Sequence, residues 1–322
     1  MIQTPKKIVD CFTLFNELDL LEIRLKYLFD TVDYFVIVEA DRTHNGAKKD
    51  YFLRDNMDRF KSFQEKIIYV PIEMKEYDGV EGVTWKRENY QRNCIQIGLD
   101  KLNLNPNDFI LISDLDEIPD KSVIKSIKDE KSVAKRDLSI RSLEILLDPF
   151  KLVWKKKFKK AKYIKRLKLF YYSEIRGYSN PIIFRMSLFY YYLNYKKNNG
   201  FWSGTVCVQA SLLNFFSPND IRDFRLMPLK YVDNAGWHFS YLGGVEAIKH
   251  KLRNFAHQEH NIPDILDDAY IEFCIRNGFS LYNYYKEKTI SREYENYKLA
   301  AFPEDLRAII ASYHKLLLPE NS

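Results

Sequence analysis

The chain has 322 residues, of which 46% are hydrophobic and 15% aromatic, a composition typical of a globular protein with a sizeable core. It contains no apolar run near the roughly 20 residues of a membrane span, and its N-terminus lacks a signal-peptide core. We therefore expect a cytoplasmic protein. The cysteines, Cys11, Cys94, Cys207 and Cys274, are too widely spaced for a zinc motif, so we expect free, mostly buried thiols.

The net charge of +6 is concentrated in one segment. Residues 151–168 contain ten Lys or Arg and no Asp or Glu, which leaves the remainder of the chain acidic overall. A basic charge confined to one segment argues against a protein that coats nucleic acid, and we predict no nucleic-acid partner.

The first third of the chain alternates apolar strands with helices. Strands are predicted at 7–12, 34–39, 66–71 and 109–113, and helices at 18–29, 55–63 and 85–102. Strands that alternate with helices in this way form parallel sheets through crossover connections. The fold class is therefore predicted to be α/β with a mainly parallel, Rossmann-like sheet.

Three carboxylates, Asp114, Asp116 and Glu117, follow the fourth strand directly. Glu17 follows the first strand and Glu39 closes the second, and ligands of open α/β sheets bind at this edge. Asp-x-Asp offers a divalent cation hard oxygen ligands but too few to saturate it, so phosphate oxygens of a nucleotide diphosphate can complete the shell. An exposed acidic turn is the alternative interpretation of the motif alone.

Past residue 137 the pattern changes. Residues 143–172 read as a basic amphipathic helix, which fits either an anionic membrane surface, with contact through 150–168, or a solvated helix packed on the domain. Aromatic residues at 189–195 and Trp202 suit stacking on sugar rings, although a half-buried sheet has the same pattern. His238, after a turn, could add a nitrogen ligand, which favours Mn²⁺ over Mg²⁺.

Four stretches, taken in order, resemble glycosyltransferase family 17. They are residues 11–25, 32–46, 113–119 and 236–244. The family includes β-1,4-mannosyl-glycoprotein N-acetylglucosaminyltransferases. The resemblance implies a GT-A fold, an inverting transfer, a divalent metal (Mn²⁺ or Mg²⁺) and a nucleotide-sugar donor, for which a UDP-sugar carrying N-acetylglucosamine is the first candidate. The implied acceptor is a hydroxyl of a glycan or a lipid-linked glycan.

The resemblance also implies roles for individual residues. The predicted metal ligands are Asp114, Asp116 and His238. The predicted donor-binding residues are Glu17, Glu39, Arg87, Arg92, Asn93, Asp114 and Glu117. The predicted acceptor-binding residues are Trp202 and Trp237. The catalytic base is predicted to be Asp220, at a helix start beyond the aromatic segment, or Asp233.

The resulting domain plan has a catalytic domain over residues 1–260, a basic helical insertion at about 137–184 and a helical C-terminal appendage over 261–322. The insertion has no counterpart in the family pattern, and we expect it to hold the protein at the inner face of a membrane. Two other functions stay open: a non-catalytic, membrane-associated glycan-binding protein, and a metal-dependent phosphatase that uses Asp114 as nucleophile.

Overall fold

The computed structural model describes residues 5–77, 79–80, 82–129, 160–227, 229–282 and 292–318. The strands are β1 (Ile8–Leu14), β2 (Tyr34–Ala40), β3 (Ile67–Ile72), β4 (Phe109–Asp114), β5 (Glu117–Pro119), β6 (Ile182–Tyr190), β7 (Tyr195–Lys197), β8 (Trp202–Gln209), β9 (Lys230–Val232), β10 (Gly236–Ser240) and β11 (Tyr294–Asn296). The α-helices are α1 (Leu18–Leu28), α2 (Phe52–Asp55), α3 (Thr84–Asn93), α4 (Ile95–Leu99), α5 (Lys121–Lys128), α6 (Lys160–Phe170), α7 (Pro218–Asp223), α8 (Gly244–Asn254), α9 (Asp268–Asn277) and α10 (Glu304–Ile310).

One large sheet organises these elements. Its strands lie in the order β11-β7-β6-β8-β4-β1-β2-β3, and the four strands β3, β2, β1 and β4 are parallel. On the other side of β4 the strand β8 runs antiparallel. The α/β class and the parallel, Rossmann-compatible sheet are thus confirmed, and the four predicted strands match β1 to β4 to within two residues.

Two of the predicted helices are divided. The helix expected at 55–63 is the short α2 followed by a 3-10 helix over Met57–Lys66. The helix expected at 85–102 breaks at Cys94 into α3 and α4. Of the predicted basic insertion, residues 137–159 lie outside the described residues, whereas α6 and a π-helical turn over Tyr171–Ile175 are described.

Side chains of the parallel strands alternate between two apolar layers, as the two-residue period of a strand requires. On the first face, Phe12 and Ile37 pack with helices α1, α2, α5 and α10. On the second face, Cys11 and Val38 pack with α3, α4 and α7. The alternation decides which helix layer each polar residue at a strand end meets.

The C-terminal segment shares this core. Phe302, Leu306 and Ile310 belong to the first-face layer, and β11 pairs with β7. A third apolar cluster, rich in tyrosine, joins α8 and α9 to the end of β6. The division at residue 260 stays a prediction.

Strand β10 brings the Gly236-Trp237-His238 stretch to the acidic motif. It runs antiparallel to β5, with His238 opposite Glu117 and Gly236 opposite Pro119. Gly236 has φ +149°, and a Cβ there would lie 2.3 Å from the Ile118 carbonyl oxygen, so only glycine allows this approach.

All four cysteines are buried and free, as expected. None of the helices in the described part of the chain combines the length and the apolar character that a membrane crossing requires.

A stability test follows from the contact between α4 and the sheet. A Cβ on Gly98 would lie 2.4 Å from Val36 Cγ1 and 3.1 Å from Val70 Cγ2. Gly98→Ala is therefore expected to lower the free energy of unfolding by about 1–3 kcal/mol through overpacking. Urea unfolding measures the change. Ile97→Ala, on the exposed side of the same helix, is the control and should shift stability by less than about 0.5 kcal/mol. Equal stability of Gly98→Ala and wild type would contradict this packing.

Candidate functional site

A central cavity of about 510 Å³ opens at the carboxyl ends of the parallel strands. Its walls include Thr13 near the end of β1, Thr43 after β2 and Asp114 at the end of β4, together with Trp202 and His238. This is the edge at which open α/β sheets bind ligands, and the volume is in the range of small-molecule sites.

Arg24, which is fully buried on the first face of the sheet, binds the turn that carries the acidic motif. Its guanidinium donates to both carboxylate oxygens of Asp10, at 2.8 and 2.7 Å, and to Ser113 Oγ at 2.6 Å. It also donates to the main-chain carbonyls of Asp114, Leu115 and Glu117 at 2.9 to 3.0 Å. One side chain on the first face thereby fixes the backbone of the whole motif.

Asp114 points to the second face, where two arginines bind it. Arg92 Nη2 lies 3.1 Å from Asp114 Oδ1, and Arg222 Nη2 lies 2.8 Å from Oδ2. Burial opposes ionisation of Asp114, but the positive charges of Arg222 and Arg92 outweigh it and hold its pKa well below the usual range. Asp114 is therefore an ionised carboxylate at the cavity wall.

Glu117 is fully buried beneath Asp114. Arg222 Nη2 and Trp202 Nε1 both donate to its Oε1 at 2.5 Å, and the Asp114 amide donates to its Oε2 at 3.2 Å. These bonds orient the Trp202 indole, which contributes to the wall of the cavity.

Asp116 faces a different set of partners. Lys251 Nζ donates to its Oδ2 at 2.9 Å, and His238 Nε2 lies 3.4 Å from the same oxygen. Burial would raise the pKa of Asp116, but Lys251 and His238 together lower it below the usual range. Lys251 Nζ also lies 4.0 Å from Glu17 Oε1, so this ammonium links two carboxylates.

An adjoining cavity of about 470 Å³ lies beside the central one. It is bounded by the start of α1, by Phe52, by the α8 residues Gly243 to Lys251, and by Leu316. Four residues line both cavities: Glu17, Asp116, Tyr241 and Lys251. The two spaces therefore meet at the Asp116–Lys251–Glu17 group.

The central cavity brings together six of the residues selected from the sequence. Its lining includes Glu17, Arg92, Asp114, Asp116, Trp202, and His238. Trp85 and His257 were not among the predicted site residues but also line this cavity, and their ring centroids lie 4.6 Å apart. The individual roles of these residues stay predictions, since no ligand contact tests them.

Other predicted donor-binding residues lie away from both cavity linings. Glu39 is fully buried and accepts from Lys49, Tyr69 and the Leu53 amide. Its place on the first face of β2 directs it to the start of α2. Buried Arg87 instead donates to the carbonyls of His44, Tyr77 and Val80 and so ties two loops together.

Asn93 and Trp237 also make contacts within the protein. Exposed Asn93 accepts from the Asn219 amide at 3.0 Å. Trp237 is buried and its ring packs edge-on against Tyr27 at 5.7 Å, so sugar stacking on this indole would require the core to open. Of the two predicted acceptor-binding tryptophans, Trp202 is therefore the one that lines the cavity.

Neither predicted base is among the described residues that line these two cavities. Asp220 forms the capping box of α7 with Ser217 and pairs with Lys165 at 2.6 Å. Asp233 lies 3.6 Å from Arg185 Nη1. Both carboxylates are thus engaged in contacts within the protein, and their role as base stays a prediction.

Several site residues were missed by the sequence analysis. Arg222 and Lys251 pair with acids that are more than a hundred positions away, and no local pattern marks such pairs. On the rim, His257, Glu259 and His260 bring three potential metal-ligand atoms within 4.8 Å of one another. In the sequence, only the closeness of these three residues to one another could have indicated this group.

Comparison with known proteins agrees with the motifs. Residues 1–144 match the profile of glycosyltransferase family 17. The chain is 29% identical over 130 residues to Beta-1,4-mannosyl-glycoprotein 4-beta-N-acetylglucosaminyltransferase from Rattus norvegicus and from Homo sapiens, and 28% identical to that from Mus musculus. The similar segment is 39% of this chain, and the chain spans about a quarter (24%) of each relative. The family resemblance is thereby confirmed for the part that contains the acidic motif.

The buried arginine supplies a test of how the motif is held. Arg24→Met would leave the Asp10 carboxylate buried without its cation, and loss of one partner of such a pair costs about 3–5 kcal/mol. We expect a loss of that size in urea unfolding, with part of it recovered in Asp10→Leu/Arg24→Met. Arg59→Met, which removes a partly exposed arginine paired with Asp19 and Glu22, is the control and should cost about 1 kcal/mol or less. Similar losses for the two arginine variants would contradict the role assigned to Arg24.

Proposed function

We propose, from the family match of residues 1–144 and the cavity at the strand ends, that the chain is an inverting GT-A glycosyltransferase. It would move a sugar from a nucleotide diphosphate donor to a hydroxyl of a glycan or glycolipid. The names of the relatives favour N-acetylglucosamine, carried by UDP, as the first candidate. The observation that carries the proposal is the convergence of Asp114, Asp116 and His238 on one cavity.

The charges of the cavity suit a diphosphate. Arg92, Arg225 and Lys251 line it and lie beside the acidic motif, so they can balance the charge on the departing diphosphate. Asp114, held ionised by its arginines, can accept hydrogen bonds from ribose or sugar hydroxyls. The exposed part of Trp202 offers an aromatic surface to a sugar ring.

A divalent metal, Mn²⁺ or Mg²⁺, belongs to this proposal. Asp116 Oδ2 and His238 Nε2 are 3.4 Å apart, a span that an ion with bonds of about 2.1 Å can bridge. Buried His238 Nδ1 has no protein partner, so this imidazole is not committed elsewhere. Asp114 fits less well as a ligand because arginines bind both its oxygens. The bound ion would act as a Lewis acid on the leaving diphosphate.

The function is tested by incubating the full chain with Mn²⁺ and a panel of UDP-, GDP- and TDP-sugars. We expect slow release of nucleoside diphosphate from one donor class, loss of this release with EDTA, and recovery when Mn²⁺ is restored. Asp116→Ala should reduce the release at least about a hundredfold, because it removes both a metal ligand and the partner of Lys251.

Asp58→Ala, on the first turn of the distant 3-10 helix, is the matched control and should keep wild-type activity. Circular dichroism shows whether each variant is folded. Full activity of folded Asp116→Ala would contradict the proposed site. Failure of the wild-type chain with every donor would instead favour the glycan-binding protein, and phosphate release from simple phosphate esters would favour the phosphatase.

We also propose that α6 and the following turn bind an anionic membrane surface from the cytoplasmic side. Ile164, Leu167, Tyr171 and Ile175 follow helical spacing and are between 43% and 64% exposed. Two lysines of the helix anchor it to the domain: Lys165 pairs with Asp220 and Asp223, and Lys168 donates to the Phe215 carbonyl.

With those lysines turned inward, the exposed apolar row faces outward. In the sequence, the basic stretch 151–162 directly precedes this row. An apolar row next to lysines matches the interface of an anionic bilayer, in which the row enters the headgroup boundary and the lysines contact lipid phosphates.

Co-sedimentation with vesicles tests the membrane surface. We expect the chain to bind vesicles of phosphatidylcholine mixed with phosphatidylglycerol, to bind pure phosphatidylcholine weakly, and to dissociate at high salt. Replacement of the four apolar residues by serine should reduce binding at least about tenfold, as expected for loss of their buried apolar area. Ile97→Ser, also an exposed apolar residue, is the control. Unchanged binding of the fourfold variant would contradict the surface.

A further inference from the structure

The two cavities divide the space around the acidic motif into separate compartments. The central cavity contains the diphosphate-binding charges, whereas the adjoining cavity reaches away from them between α1 and α8. Glu17, Asp116, Tyr241 and Lys251 form the boundary. A transferase of two substrates needs such a boundary, because the attacking group must approach the reacting carbon from the side opposite the leaving group.

We infer that the adjoining cavity binds the sugar acceptor and that Glu17 is the general base which activates its hydroxyl. The inference rests on the proposed function. It moves Glu17 out of the predicted donor-binding set and replaces Asp220 and Asp233 as the predicted base.

The chemistry of the adjoining cavity suits a sugar. Phe52, Leu242 and Leu316 supply apolar walls for the carbon face of a pyranose ring. Asn16 and His250 supply polar groups for its hydroxyls, and the His250 ring is stacked on Phe15 at 5.3 Å. A pocket with apolar walls and a few polar groups is the usual form of a small-molecule site.

Glu17 is placed to act between the compartments. It immediately precedes α1, and its Oε2 accepts from the Asn16 amide at 3.1 Å, which fixes the carboxylate at the boundary. The side chain is 30% exposed, so a substrate can reach it. Its other oxygen lies 4.0 Å from Lys251 Nζ, a looser contact than the 2.9 Å bond from Lys251 to Asp116.

The other carboxylates near the boundary are less suitable. Asp116 is bound by Lys251 and lies against His238, on the side proposed for the metal. Asp114 is bound by Arg92 and Arg222. Asp19 also lines the adjoining cavity, but Arg59 pairs with it at 2.5 Å. Glu17 is the boundary carboxylate with the weakest contact to a cation among these four.

The reaction is then a single displacement. The acceptor oxygen forms a bond to the anomeric carbon while the bond from that carbon to the diphosphate oxygen breaks. The electron pair of the broken bond leaves with the diphosphate, and the hydroxyl proton moves to a Glu17 carboxylate oxygen. Attack from the opposite side inverts the anomeric carbon, and protonated Glu17 later loses the proton to water.

Azide distinguishes a base from a structural residue, because it attacks without losing a proton. With the donor identified above, Glu17→Gln should reduce hydrolysis, in which water is the acceptor, at least about a hundredfold. The same variant should form the inverted glycosyl azide at nearly the wild-type rate and should bind the nucleoside diphosphate with unchanged affinity. Glu22→Gln, one turn further along α1 and outside both cavity linings, is the control.

The outcomes separate the two proposals. Wild-type hydrolysis by Glu17→Gln would overturn the base assignment and leave the proposed function intact. Loss of nucleotide binding and of azide transfer together would show that Glu17 binds the donor, and would also overturn the base assignment. Absence of turnover in the wild-type chain would overturn the proposed function, and the base assignment with it.

A second variant tests the acceptor cavity. Ala247→Trp fills part of the adjoining cavity from α8. With the p-nitrophenyl glycoside that the wild-type chain glycosylates fastest, this variant should lower the ratio of transfer to hydrolysis at least about tenfold, since water needs less room than a sugar. An unchanged ratio would show that the acceptor binds elsewhere.

Discussion

The site depends on a guanidinium that no substrate can touch. Arg24 offers five N–H donors in a planar fork, and the backbone carbonyls after β4 together with Asp10 and Ser113 take them up. A turn that carries three acids in four residues would otherwise expose several carbonyls to an apolar layer. Because Arg24 satisfies them, the chain can leave the sheet sharply and project Asp114 and Asp116 in different directions.

Around the acidic motif, carboxylates alternate with arginine and lysine side chains. Asp114 stands between two arginines, Arg222 also binds Glu117, and Lys251 stands between Asp116 and Glu17. Each buried acid is thereby paired, which offsets the desolvation that would otherwise favour its neutral form. The same pairing keeps the motif ionised and fixes its geometry before any ligand binds.

The sequence predicted most of the frame and part of the site. Continuous apolar runs identified β1 to β4, and the rule that ligands bind at the carboxyl ends of strands correctly selected Glu17, Asp114 and Asp116 for the cavity wall. The same rule does not say to which face a side chain points. Glu39 ends β2 on the first face and meets α2, whereas Asp114 ends β4 on the second face and meets α3 and α7.

The sequence patterns did not identify the distant partners of the acidic motif, for a different reason. Arg222 lies on a short helix whose visible signal is the Ser217–Asp220 capping box, and that local signal drew attention to Asp220 instead. In the sequence, Lys251 is one of several lysines of an amphipathic helix. Only the packing of α8 beside Asp116 distinguishes it from the others. Trp237 and Trp202 are equally aromatic in sequence, and only the sheet decides that the first is core and the second is cavity wall.

The pairing of β5 with β10 has a consequence for how much the chain between them can vary in length. A short main-chain ladder places His238 opposite Glu117, so the relation between the acidic motif and this histidine is set by backbone register and not by the long connection between them. The entropy of closing a loop grows only slowly with its length. The part of the connection between α5 and β6, which includes the lysine-rich stretch, can therefore change in length while the ladder keeps His238 opposite Glu117.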